Sequence, residues 1–239
     1  MNYQDDVSSM YTLAHELGHS MHSELASETQ PYVYADYTIF IAEIASTVNE
    51  TLLTHHLLDT VEDERLRRHI LNQYLERFRS TLFRQTMFAE FEQRAHELSA
   101  EGEPLTADRL DDLYRELKGD YYEPGVIDDR IAREWMRIPH FYRAFYVYQY
   151  STGICAAVSL VESIREEGEA PRASGESNGA SRETANPAAQ RYREFLQSGS
   201  HGYPLELLSE AGVDMTSSEP IQQAIDVYGE YLDEYEQLQ

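Results

Sequence analysis

Residues 11–22, YTLAHELGHSMH, have helical periodicity and concentrate metal-binding side chains in a short segment. His15 and His19 are four residues apart, so an α-helix places both imidazoles on one face, one turn apart. Two imidazoles at this spacing can bind one zinc ion, and Glu16 can reach a water on the same metal. The H-E-x-x-H pattern therefore predicts two zinc ligands and a general base, although so short a pattern also arises by chance.

His22 lies on nearly the same helical face but is a poor candidate for the third ligand. It is seven residues from His15, which is about 10 Å along a helix axis, and one ion with bonds near 2 Å cannot easily join both. We interpret His22 as a residue behind the ligands or on the substrate side. A hydrogen-bonded packing histidine is the alternative, and the third ligand is expected from another helix.

Glu43, in the stretch FIAEIASTVNE at 40–50, is the best candidate for that ligand. It is a lone carboxylate in an apolar helical run, and burial of an unpaired carboxylate is costly, so a partner is expected. A metal ion would serve; an arginine in a salt bridge is the alternative. Glu50 lies seven residues later on the same face and could accept a hydrogen bond from a ligand histidine, which would fix its orientation.

Helical periodicity also dominates the remaining sequence and predicts an all-α fold of several long packed helices with little or no sheet. A short strand or an extended entry is possible at 32–40, YVYADYTIF, and a flexible Gly/Ser-rich surface loop is expected at about 166–189. Helices are predicted at about 7–28, 38–58, 62–98 (one helix or two abutting ones), 106–119 and 139–167, with a last helix opening at 217–220.

The composition excludes several classes of partner. The formal net charge of −24 disfavours nucleic acid and anionic membranes, and no apolar run is long enough to span a bilayer. Lys118 is the only lysine among 19 basic residues, a bias that resembles proteins of salt-loving organisms; an ordinary acidic cytosolic protein is the alternative. Cys155 is the only cysteine, which suits a reducing, cytoplasmic compartment, and no secretory signal is visible in the first residues.

Three blocks of the chain resemble one family, the oligoendopeptidase F group of thimet-oligopeptidase-like zinc peptidases. The first block, at 15–53, combines H-E-x-G-H-x-x-H with a glutamate some two dozen residues after the second histidine. The second block is RIPHFYRAFYVYQYSTGICAA at 137–157, and the third is FLQSGSHGYPLELLSEAGVDMTSSEPIQQAI at 195–225. The similarity covers most of the chain, except the Gly/Ser-rich loop.

The resemblance implies an all-helical zincin that cleaves short oligopeptides inside a deep channel, with one Zn²⁺ per chain. Carried over by residue, His15, His19 and Glu43 would be the zinc ligands and Glu16 the general base. Zinc would lower the pKa of a bound water, and Glu16 would take its proton as the water attacks the scissile carbonyl.

The resemblance also implies that the His/Tyr-rich block at 139–150 contacts the substrate and the transition state. His140 and Tyr148 are the first candidates, because they are eight residues apart and share a helical face if the segment is regular. Tyr142 and Tyr146 are the alternates. Aromatic core packing is the competing explanation for part of this block.

Members of this family are typically much longer, whereas the zinc motif here begins at residue 15. We therefore expect residues 1–239 to form a single zinc-peptidase catalytic region without the amino-terminal lobe of the family. The alternative is a catalytically impaired fragment or a zinc-binding interaction module. In either case the face left by that lobe could self-associate or bind a partner chain.

Overall fold

The computed structural model describes residues 2–169 and 186–238, and within these ranges it contains helices and turns but no strand. The all-α prediction is confirmed for the described residues. The helices are α1 (Val7–Thr29), α2 (Ile39–Thr60), α3 (Glu64–Arg77), α4 (Arg84–Ala100), α5 (Ala107–Tyr121), α6 (Asp129–Ala132), α7 (Tyr148–Glu169), α8 (Pro187–Leu196), α9 (Pro204–Glu210) and α10 (Glu219–Gln237). None of these helices is both long and apolar enough to cross a bilayer.

Side-chain caps explain where several helices begin. Asp6 accepts the backbone N–H of Ser9 at the start of α1, and Thr106 caps α5 in the same way. The last helix has Ser218 at its N-cap position and Pro220 in its first turn, as its sequence predicted. The predicted end at Gly119 is two residues short, because α5 continues to Tyr121.

The predicted stretch at 62–98 is helical from Glu64 to Ala100, with one irregular turn. α3 and α4 are joined by a π-helical segment, Phe78–Phe83, in which the N–H of Arg84 donates to the carbonyl of Arg79. The hydroxyl of Ser151 donates to the carbonyl of Leu82 at 3.1 Å, and that of Thr86 donates to the same oxygen at 2.7 Å. These side-chain donors satisfy a carbonyl at the irregular turn.

The predicted single helix at 139–167 is wrong in its first part. Pro139–Tyr142 forms a 3₁₀ turn, and α7 begins only at Tyr148. Between them Phe145 has a left-handed φ of 55°, and its N–H donates to Oε1 of Glu92 at 2.6 Å. A carboxylate on α4 thus captures a backbone donor that a continuous helix would use internally.

The possible strand at 32–40 is a turn in the structure. The N–H of Tyr34 donates to the carbonyl of Pro31 at 2.8 Å, and the carbonyl of Tyr34 accepts the N–H of Ser200 at 2.9 Å. The predicted loop at 166–189 is helical at both ends, in α7 and α8, and its part at 170–185 lies outside the described residues.

The chain divides into two compact units, the first formed by Met1–Glu76 with Thr152–Gln239 and the second by Arg77–Ser151. The single catalytic region over 1–239 stays a prediction. In the first unit, α2, α7, α8 and α9 surround an apolar core. Its fully or nearly fully buried members include Ile41, Ile44, Val48, Ala156, Leu160, Val161, Phe195 and Leu208.

The second unit has a core of its own, built mainly from α4 and α5. Aromatic rings dominate it: the ring of Phe91 meets that of Tyr114 edge to face, with centroids 5.2 Å apart. The buried members of this core are Met87, Phe88, Phe91, Leu113, Tyr114, Leu117, Ile138 and Val147.

Candidate metal centre

The first unit brings together the three side chains that the sequence predicted as zinc ligands. α1 places Nε2 of His15 and Nε2 of His19 3.1 Å apart. Oε2 of Glu43, from the second turn of α2, lies 3.4 Å from Nε2 of His15 and 3.6 Å from Nε2 of His19. The three side chains are 28–33% exposed, so the cluster is partly sheltered but open to solvent.

These distances fit a shared metal ion. Two ligand atoms bound tetrahedrally at about 2.0–2.1 Å from one zinc ion lie about 3.3–3.4 Å apart. The observed separations of 3.1, 3.4 and 3.6 Å bracket that value. Two imidazoles and one carboxylate, with an open side toward solvent, are also the donor set of several catalytic zinc sites.

Glu50 lies behind the site, where the sequence had assigned it to orient a histidine. Its Oε1 is 3.3 Å from Nδ1 of His15, and its side chain is only 11% exposed. A proton on Nδ1 of His15 would be donated to this carboxylate, which leaves the lone pair of Nε2 directed toward His19 and Glu43. Glu50 thus fits the role of fixing the tautomer and the ring orientation of His15.

Asn49 adds a contact that the sequence interpretation missed. Its amide donates to the carbonyl of Ala14 at 3.2 Å and so ties α2 to the residue that precedes His15. Glu43, Ser46 and Asn49 are polar residues that follow one another at a spacing of three along α2. This polar spacing within an apolar helix was the signal that could have identified the residues facing α1.

Glu16 and His22 differ sharply in exposure. Glu16 lies on α1 beside His15, and its side chain is exposed. His22 is completely buried, with its ring stacked on Tyr37 at a centroid distance of 3.6 Å. Neither ring nitrogen of His22 has a hydrogen-bond partner among the described residues. Burial, with a smaller contribution from His19, lowers the pKa of His22 to about 4.

The substrate-side interpretation of His22 is therefore corrected. Since its ring has 0% exposure and packs between Tyr37 and Phe195, it cannot touch a substrate in this structure. The packing alternative is the better description, although without the hydrogen bond that it had assumed. The ring of Tyr37 comes from the loop after α1, and its hydroxyl lies 2.8 Å from Oγ of Ser23.

The His/Tyr-rich block lies in the second unit and groups its residues differently from the prediction. The ring of His140 is parallel to that of Tyr146 at 5.7 Å and meets the ring of Tyr150 edge to face at 5.8 Å. The hydroxyls of Tyr146 and Tyr150 are 3.3 Å apart. Tyr148 does not share a helical face with His140, because the break at Phe145 separates the two segments.

Exposure separates the remaining tyrosines of this block. Tyr142 is 90% exposed and Tyr148 is 42% exposed, so both side chains are open to solvent. The sequence assigned no role to Tyr150, and its edge-to-face contact with His140 was missed. Helical periodicity could not have revealed that contact, because the segment is not a regular helix.

Comparison with known proteins identifies related peptidases. Peptidase family M3 matches residues 1–227. Oligopeptidase PepF of Bacillus subtilis is 49% identical over the whole chain, which spans 33% of that protein. Group B oligopeptidase PepB of Streptococcus agalactiae is 46% identical over the whole chain and 37% of its own length.

A solved structure has the same fold. The crystal structure of oligoendopeptidase-F from Enterococcus faecium superposes with a TM-score of 0.81 at 41% identity, covering 97% of this chain and 39% of that one. The chain thus spans 33–39% of the length of these three relatives. With residues 1–227 matched, the chain belongs to peptidase family M3.

Proposed function

We propose that this chain carries the metal centre of a zinc-dependent endopeptidase that hydrolyses short oligopeptides and binds one Zn²⁺ per chain. The observation that carries the proposal is the convergence of His15, His19 and Glu43 at separations that suit one ion. Membership of family M3 supports it, as do the oligopeptidase and oligoendopeptidase identities of the relatives.

In this proposal Glu16 is the general base. Its exposed carboxylate follows a ligand histidine directly, so it can take a proton from an attacking water and return it to the leaving amine. His15, His19 and Glu43 would hold a divalent cation, which would supply Lewis-acid polarisation of the peptide carbonyl and a lowered pKa for a water. Glu50 keeps His15 in the tautomer that presents Nε2 to the site.

For the second unit we propose that His140 and Tyr146 contribute substrate or transition-state contacts. Their parallel, partly exposed rings support this role, because such groups can donate hydrogen bonds to a developing oxyanion. Tyr148, a first candidate together with His140, remains a proposed transition-state contact and Tyr142 a proposed substrate contact, supported only by their exposure of 42% and 90%. Single Phe replacements that leave peptide turnover unchanged would remove a tyrosine from this set.

Glu16→Gln tests the base assignment. The variant should bind one zinc ion per chain like the wild type and lose nearly all cleavage of an internally quenched peptide, because the amide cannot accept the proton. Glu24→Gln, an exposed carboxylate two turns further along α1, is the matched control and should keep turnover. Full turnover by Glu16→Gln would overturn the assignment, and a wild-type chain without zinc would overturn the metal centre.

The second candidate function is a zinc-binding interaction module, or a catalytically impaired fragment, that pairs with another chain. Its support is an apolar stripe on α1: Leu13, Leu17 and Met21 are four residues apart and 42%, 50% and 47% exposed. Such a stripe would be covered by a partner or a second copy. Zinc binding without turnover, with a concentration-dependent size that Leu17→Glu abolishes, would favour this candidate.

We also propose a cytoplasmic, salt-adapted setting for the chain. The net charge of −24 and the single lysine support salt adaptation, because screening relieves self-repulsion. Burial raises the pKa of the Cys155 thiol to about 12, which suits an inert packing residue in a reducing compartment. Stability that rises steeply with KCl concentration would support salt adaptation, and a flat response would contradict it.

A further inference from the structure

Ser46 lies directly beneath the proposed zinc ligand Glu43. It is one turn further along α2, has 0% exposure, and belongs to none of the roles assigned above. Its Oγ is 2.9 Å from the backbone carbonyl of Glu43 and 3.3 Å from Oε2 of the same residue. The single hydroxyl proton can therefore be donated to the carbonyl or to the carboxylate.

The carboxylate oxygen that Ser46 contacts is the one that faces the histidines. Oε2 of Glu43 is 3.4 Å from Nε2 of His15 and 3.6 Å from Nε2 of His19. The Glu43 side chain is 33% exposed and sits in the second turn of α2, so solvent alone would not hold it in one rotamer. Fixing a long flexible side chain costs conformational entropy on metal binding unless a neighbour has already oriented it.

Gly18 allows α1 to lie directly against the backbone of Ser46. A Cβ at Gly18 would lie 2.5 Å from Cα of Ser46 and 2.7 Å from the carbonyl oxygen of Ala45, distances that real side chains do not reach. The backbones of α1 and α2 therefore touch between the two histidines and Glu43. This contact fixes the backbone of Ser46 against α1, and the two acceptors on Glu43 hold its hydroxyl.

We propose that Ser46 is a positioning residue that presents Oε2 of Glu43 to the metal site as a single pre-oriented ligand atom. The inference rests on the proposed metal centre and deepens it. Gly18 contributes by allowing α1 to lie against the backbone of Ser46. The competing explanation is that the hydroxyl only donates to the Glu43 carbonyl, a common local contact in helices with no bearing on the metal.

Ser46→Ala in the full chain separates these explanations, since it removes one buried oxygen and no carbon. Zn²⁺ affinity is measured by competition with a chromophoric chelator, and the visible spectrum of the Co²⁺-loaded protein reports ligand geometry. We expect affinity to fall about tenfold or more, with an altered Co²⁺ spectrum. Ser159→Ala is the matched control: Ser159 is 5% exposed, and its Oγ has no hydrogen-bond partner among the described residues.

The outcomes distinguish the positioning role from the function on which it rests. Wild-type affinity and an unchanged Co²⁺ spectrum in Ser46→Ala would overturn the role of Ser46 and leave the metal centre standing. A weaker, spectrally altered Ser46→Ala in a chain that cleaves no peptide would support Ser46 while the peptidase assignment fails. A wild-type chain that binds neither ion would overturn both.

Discussion

Glu43 in the first unit and Glu134 in the second both lie in polar clusters, but Glu134 pairs with permanently charged side chains and Glu43 pairs with histidines. Glu134 is 9% exposed and contacts Arg84, Lys118 and Arg137 at 2.6–2.9 Å. The ion pairs found for Glu43 among the described residues are with two histidines, and a third of its side chain is exposed.

Glu134 shows the contacts that Glu43 would make if its partner were an arginine, the alternative that the sequence left open. A lone carboxylate in an apolar helix needs a partner, and the sequence allowed either a metal or an arginine. Glu134 is the arginine case: it is satisfied by fixed cations and needs nothing from solution. Among the described residues the ion-pair partners of Glu43 are imidazoles, which are neutral when they act as ligands, and its carboxylate otherwise meets the Ser46 hydroxyl, so a metal ion would balance its charge.

Loss of the Glu134 charge should give the largest effect on stability. Glu134→Gln leaves Lys118, which is 7% exposed, without its anion. Breaking a buried ion pair in this way costs about 3–5 kcal/mol in the free energy of unfolding, measured by urea denaturation. Zinc affinity should not change. The exposed pair of Arg115 with Asp129 is the control, and Asp129→Asn should have little effect.

Acid should reproduce part of that loss in the wild type. Burial alone would raise the pKa of Glu134, but hydrogen bonds from Lys118 and Tyr114 and the charges of Lys118 and Arg84 outweigh it and bring the pKa from 4.5 to about 2. Because the pKa of Glu134 is lower in the folded state, its carboxylate stabilises the fold at pH values above its pKa in the unfolded chain. That contribution to the free energy of unfolding is lost as the pH falls through the pKa of the folded state. Roughly 3 kcal/mol should therefore disappear between pH 5 and pH 2.

The same acid titration of Glu134→Gln checks the source of this loss. In that variant the part of the pH dependence that belongs to Glu134 should be absent, whereas the contributions of other carboxylates remain. Identical slopes in the two proteins, measured as the free energy of urea unfolding at each pH, would show that Glu134 does not carry the effect.

Replacement of Glu43 should have the opposite signature. Glu43→Gln removes the anionic ligand, so Zn²⁺ affinity should fall about 100-fold, or about 2.7 kcal/mol. The metal-free protein should unfold at an unchanged urea concentration, because the carboxylate has no fixed cation to lose. Glu24→Gln, on the exposed face of α1, should change neither quantity. Destabilised metal-free protein would place Glu43 in the same class as Glu134.

The convergence of His15, His19 and Glu43 was predictable because it depends on regular helices and on local spacing. Residues four apart share a face of α1, and Glu43 on α2 meets the two histidines across one helix pair, although its side chain is 33% exposed and so less buried than the sequence argument assumed. What periodicity could not supply was tertiary: the contact of Gly18 with Ser46, and the stacking of His22 on a ring from a loop.

The second unit was harder to predict because a tertiary contact, and not local periodicity, sets the backbone of its His/Tyr-rich block. The segment from Pro139 to Tyr148 has the composition of a helix, but the capture of the Phe145 N–H by Glu92, more than fifty residues earlier, breaks it. No local pattern reports such a contact. The composition showed that Lys118 is the only lysine, but only the fold shows that it forms a buried ion pair with Glu134.

Glu50 should give the smallest of the effects, because it touches a proposed ligand and not the metal. Glu50→Ala removes the acceptor 3.3 Å from Nδ1 of His15 and frees the ring to rotate or change tautomer, so Zn²⁺ affinity should fall about tenfold. Glu50→Gln keeps an oxygen acceptor and should lose less. Asp59→Ala, exposed on the same helix, is the control. Equal losses in Glu50→Gln and Glu50→Ala in chelator competition would mean that its charge, rather than the orientation of His15, matters to the metal.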